Sequence, residues 1–179
     1  KQPKPVRIVV KKLNLKSVKY QLKLTEEEIK MDELIGLFIE DEAANVDIYT
    51  KLFAMEGLKL ESLDKLPPTV DDFYDIVLEK NVDFLIIDFY LEKQVTYKGI
   101  DVLREIRKHD STIYAVLLTN YDLEQFAPFG DYDYELKKSE MTSRYKDVVE
   151  KIKRACDLRK DNLMYKAVEI KQQQDNETI

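Results

Sequence analysis

VDFLIIDFYL, residues 82–91, carries an apolar run over 84–87 that ends in a single carboxylate, Asp88. A run this short and continuously apolar suits a β-strand buried on both faces, as in a parallel sheet covered by helices. Asp88 then falls at the carboxyl end of that strand. In open parallel α/β sheets this end is where ligands and chemistry gather.

The flanking segments repeat the pattern. Residues 34–39 are an apolar strand ending in Glu40, Asp41 and Glu42. Residues 43–56 space Val46, Tyr49, Leu52 and Phe53 as a helix does, and Gly57 ends it. A second strand over 58–63 precedes Pro67 and Pro68, and a helix over 70–80 sets Phe73, Ile76 and Val77 on one face. After the third strand, a loop over 92–98 leads to a helix that opens at Gly99 and carries Ile100, Leu103 and Ile106. The fourth strand, 112–118, closes in Thr119 and Asn120, and a short helical stretch follows near Leu123 and Phe126. The fifth strand covers 132–138, and Ser139 or Thr142 caps a long terminal helix. Strict alternation of strands and helices predicts an α/β fold: a doubly wound, five-stranded parallel sheet with right-handed crossovers. Its flavodoxin-like strand order is 2-1-3-4-5.

Before this body, residues 5–24 alternate apolar and polar with period two, which predicts an N-terminal β-hairpin arm. Thr25 with Glu28 resembles a capping box, so a short helix or turn is expected over 26–33. Residues 1–24 hold eight Lys or Arg and no acid, whereas the remainder carries 21 basic and 35 acidic residues. The expected division is a basic β-rich arm, or the remnant of a preceding domain, over 1–33. A body follows over 34–158, then a helical extension and disordered tail over 159–179. The basic face of the arm (Arg7, Lys11, Lys19, Lys23) is read as solvated rather than as a nucleic-acid contact. One cysteine, Cys156, excludes an intramolecular disulfide framework and fits a reducing compartment. No apolar run approaches the ~20 residues a membrane span needs, and cytoplasmic placement is expected.

The predicted strand order brings Glu40, Asp41, Asp88, Thr119 and Lys138 to one edge of the sheet. Three clustered carboxylates repel one another unless a cation neutralises them. Oxygen ligands of this kind suit Mg²⁺, which takes one or two carboxylates together with waters and phosphate oxygens. A metal beside a carboxylate nucleophile, a hydroxyl and an ammonium are the parts of a phosphoryl-transfer site. Each residue also has a plain reading. Acids open helices, threonines end strands, His109 sits on a polar helix end, and Cys156 is a small helix-face residue.

The pieces LFIEDE (37–42), LIIDFYL (85–91), GIDVLREIRK (99–108), VLLTN (116–120) and YELKKS (134–139), in this order and spacing, resemble the receiver domain of two-component response regulators. The resemblance implies transfer of a phosphoryl group from a histidine kinase or histidine phosphotransfer protein to Asp88. It implies Mg²⁺ held by Glu40, Asp41, Asp88 and the backbone carbonyl of Tyr90, with Thr119 as the switch hydroxyl. The lysine position falls to Lys138, because Leu136 then fills the family's buried aliphatic place two residues earlier. Lys137 is the alternative, favoured by Tyr134 three residues before it.

The chain departs from the family pattern in several places. Ser139 stands where a proline usually follows the lysine, Asn120 replaces a small residue, Glu135 holds the aromatic switch position, and the loop before Gly99 is longer. These departures keep a second reading open, a degenerate receiver acting as a constitutive interaction module. A third, a haloacid-dehalogenase-like phosphatase, shares Asp88, Thr119–Asn120 and Lys138 but lacks the second Asp, since Tyr90 occupies that position. Tyr145, Val149, Ile152 and Cys156 give the terminal helix a sheet-facing stripe, and Leu163, Ala167 and Ile170 continue it. A homodimer through this helix, or through the face of strands four and five, is the expected output contact.

Overall fold

The computed structural model describes residues 33–91, 94–120 and 131–177, and of 164–177 the backbone. The chain divides into two units, Lys1–Asp32 and Glu33–Ile179, and every described residue belongs to the second. The predicted arm, the turn over 26–33 except Glu33, and the helical stretch near Leu123 lie outside the described residues.

Five parallel strands, β1 (Leu34–Ile39), β2 (Leu58–Ser62), β3 (Phe84–Asp88), β4 (Tyr114–Thr119) and β5 (Tyr134–Lys137), form one sheet in the order β2-β1-β3-β4-β5. The helices α1 (Ala43–Met55), α2 (Phe73–Glu79), α3 (Gly99–His109) and α4 (Lys138–Glu177) alternate with them. This is the flavodoxin-like order expected from the sequence.

Strand alternation explains why both faces are apolar. Leu37, Ile39, Leu85, Ile87 and Leu117 face α2 and α3, packing with Phe73, Val77, Val102, Leu103 and Ile106. Phe38, Phe84, Ile86, Val116 and Leu118 face α1 and α4, packing with Phe53, Val148, Val149, Ile152 and Cys156. Phe84 sits so close to β1 that a Cβ at residue 36 would lie 2.3 Å from its ring, which explains Gly36. Gly57 ends α1 with φ at +75°, where a side chain would be strained.

Three expectations need correction. The second helix begins at Phe73 rather than at residue 70, because Asp71 and Asp72 form a turn first. The fifth strand spans only Tyr134–Lys137, and α4 starts at the very next residue, Lys138. Ser139 and Thr142 therefore lie inside the helix and cap nothing; no proline interrupts the passage from strand to helix. At 40 residues, α4 is about 60 Å long at a rise of about 1.5 Å per residue. Near the far end of the sheet it is tied to the body by Arg159, which donates to the Asp83 carbonyl at 3.2 Å and to Asp110. Among the described residues no helix is long and apolar enough to cross a membrane.

Candidate functional site

Adjacent strands assemble the acidic edge. β1 and β3 pair in register, with Ile39 opposite Ile87, so the residues that follow Ile39 meet the residue that follows Ile87. Carboxylate oxygens of Glu40, Asp41 and Asp88 accordingly lie within 4.8 Å of one another. Glu40 and Asp88 are each 4% exposed, and Thr119, at the end of β4, is fully buried.

Glu40 is fixed by local backbone. Its Oε1 accepts the N–H groups of Asp41 (3.0 Å) and Glu42 (3.1 Å) at the entrance to α1. Its Oε2 accepts Asn45 Nδ2 at 3.1 Å and Lys138 Nζ at 2.8 Å. Asp88 Oδ2 receives the same ammonium at 2.6 Å, and Oδ1 accepts the Tyr90 N–H at 3.3 Å. Lys138 thus bridges both buried acids from the first turn of α4. Its neighbour Lys137 stands opposite Thr119 in the strand register and is exposed.

Burial pushes the Asp88 carboxyl up, and the nearby Glu40 charge adds to this; Lys138 and the Tyr90 N–H pull the other way, leaving it at about 7. Burial pulls Lys138 down, but hydrogen bonds and charge from Asp88 and Glu40 outweigh it, and the ammonium is held above its ordinary value. Burial is thus the main reason Asp88 is raised, with the Glu40 charge second among the groups that raise it. The donor set suits a hard divalent cation. Both Glu40 oxygens already accept two donors each, and each Asp88 oxygen accepts one.

Three contributors escaped the sequence reading. Asn45 orients Glu40; its position in the first turn after the acids is a local signal that was there to read. The Tyr49 hydroxyl donates to the Lys138 carbonyl at 3.2 Å, across a separation of 89 residues that no local pattern reveals. Gly99 presses on β3: a Cβ there would fall 1.9 Å from the Asp88 carbonyl oxygen.

No protein-family model matches the sequence, and no curated protein matches it. Solved structures do. The response regulator TrrA of Thermotoga maritima, in complex with Mg²⁺ and BeF, superposes with a TM-score of 0.56 at 21% identity, covering 66% of this chain and 98% of that one. A receiver-domain protein of Clostridium thermocellum gives 0.56 at 22%, covering 71% and 97%. TrrA in complex with the histidine kinase ThkA gives 0.53 at 21%, covering 66% and 97%. The chain carries the CheY-like receiver fold, divergent in sequence, with an acidic cluster able to coordinate a divalent metal at its carboxyl edge.

Proposed function

We propose that this chain is a phosphorylatable receiver whose acceptor is Asp88. The observation that carries the reading is the buried Asp88 carboxylate held against the Lys138 ammonium beside Glu40 and Asp41. An Asp88 oxygen attacks phosphorus in a phosphohistidine donor, the P–N bond breaks, and its electron pair leaves with the imidazole nitrogen. The donor is a histidine kinase or a histidine phosphotransfer protein. Asp41, Asp88 and the Tyr90 carbonyl, backed by Glu40, would hold Mg²⁺. The ion supplies neutralisation of the phosphoryl oxygens. Lys138 leaves its contact with Asp88 for a phosphoryl oxygen, and the Thr119 hydroxyl donates to another. The added charge, about -1.5 to -2 for a phosphate group, biases the face of β4 and β5 between two states.

Output is read as protein contact. The terminal helix continues well past Arg159, and Leu158 and Leu163 are 57% and 53% exposed, which favours pairing with a second copy along α4. The second reading, a degenerate receiver with constitutive contacts, is favoured by one observation. β5 runs without a break into α4 at Lys138, leaving little slack for the lysine to move.

The test is incubation with acetyl phosphate and Mg²⁺ followed by intact mass. The proposal expects a gain of one phosphoryl group that Asp88→Asn abolishes. An unmodified wild type, or a gain that survives in the variant, favours the constitutive module.

A further inference from the structure

The loop between β3 and α3 closes on itself at the acceptor. The Phe89 N–H donates to the Leu118 carbonyl at 2.8 Å, and the Phe89 carbonyl accepts the Gly99 N–H at 3.0 Å, so both ends of the 90–98 segment meet beside Asp88. The first of these residues, Tyr90, donates its N–H to Asp88 Oδ1. The conformation of the loop therefore bears on the direction of the acceptor carboxylate.

Two side chains tie this loop to the segment after β2. The Tyr97 hydroxyl donates to the Pro67 carbonyl at 2.7 Å, while the ring meets Phe73 edge-on at 5.9 Å. Gln94 Oε1 accepts the Leu66 N–H at 3.2 Å. The Pro67–Pro68 pair makes a stiff platform, because each proline fixes its own φ and restricts the residue before it. Burial raises the Tyr97 phenol to about 12, so it stays a donor throughout the neutral range. Nearer the site, Lys98 Nζ lies 5.4 Å from the Phe89 ring and 5.5 Å from the Tyr90 ring, which packs the loop's far end onto its beginning.

We infer that Tyr97 and Gln94 are positioning residues: by strapping the loop to residues 66–67 they hold the Tyr90 backbone, and through it Asp88, in the geometry that receives the metal. The inference rests on the metal-binding part of the proposed function. A loop this long without the strap would have to be ordered when the cation arrives, and that cost would appear as weaker binding. Tyr97→Phe removes the hydroxyl and keeps the ring against Phe73; Gln94→Ala cuts the second tie independently.

Calorimetric titration with Mg²⁺ alone, on wild type, both variants and Asp88→Asn, tests this, with melting temperature without metal as the control. The expected result is about five- to tenfold weaker Mg²⁺ binding in Tyr97→Phe and in Gln94→Ala, the cost of ordering the loop, alongside a modest fall in melting from the lost hydrogen bond. A purely structural role lowers melting and leaves the affinity alone; affinities within about twofold of wild type in both variants overturn the inference while leaving the proposed function intact. Wild-type binding that does not depend on Asp88 overturns both.

Discussion

Lys138 Nζ lies 2.6 Å from Asp88 Oδ2 while staying within 2.8 Å of Glu40 Oε2, so one ammonium serves two buried carboxylates. Its side chain is only 11% exposed, and water does little to screen the arrangement.

Removing the ammonium strands both acids. Breaking a buried pair from one side typically costs about 3–5 kcal/mol, and Lys138→Met is expected in that range by urea unfolding at pH 7.5. Lys137→Met, one residue away on an exposed position, should cost clearly less, because exposed pairs are worth little. Equal effects at the two positions would contradict the assignment of the lysine.

Asp88 sets the pH dependence. Its carboxyl stands at about 7 in the folded chain against an ordinary value of 3.8, so the folded state binds this proton more tightly. The stability it contributes is complete below pH 3.8, erodes as pH rises, and is gone above about pH 7. Asp88→Asn should therefore exceed wild type in stability at pH 8 without metal, by about 1–4 kcal/mol. The gap should close toward pH 4. Unfolding curves at both pH values check this; a variant less stable than wild type at pH 8 contradicts it.

Divalent metal should offset that gap. Mg²⁺ at about 100 times its dissociation constant adds about 2.7 kcal/mol to the folded state, and the gain should vanish in Asp88→Asn and shrink in Asp41→Asn. Thermal melts with and without Mg²⁺, with Ca²⁺ as comparison, give the answer.

Gly99 admits no side chain without a shift of β3. Gly99→Ala should cost about 1–3 kcal/mol and weaken Mg²⁺ binding, because the new methyl lands on the Asp88 carbonyl. A variant of wild-type stability and affinity would show that the strand yields freely there.

Much of this site could be read from the chain because its parts are local. Apolar runs name β1, β3 and β4, and the residue at the end of each run names Glu40, Asp88 and Thr119. Alternation and handedness give the parallel, doubly wound sheet, and the order 2-1-3-4-5 that joins them is one of the two common orders of such sheets. The lysine was harder, since Lys137 and Lys138 differ only in which side of a strand they take. Lys138 is not in the strand at all; it is the first residue of α4. Ser139 and Thr142 looked like caps because hydroxyl residues favour helix starts, yet the helix had already begun. Asn45, Tyr49 and the Tyr97–Pro67 tie contribute through contacts that appear only once the sheet has brought distant segments together.

The most direct test of the central claim is titration with beryllofluoride in millimolar Mg²⁺, followed by light scattering for mass. Wild type should bind saturably and Asp88→Asn should not, with a rise in mass if α4 pairs two copies. Absence of binding by wild type, or equal binding by the variant, would contradict an acceptor role for Asp88.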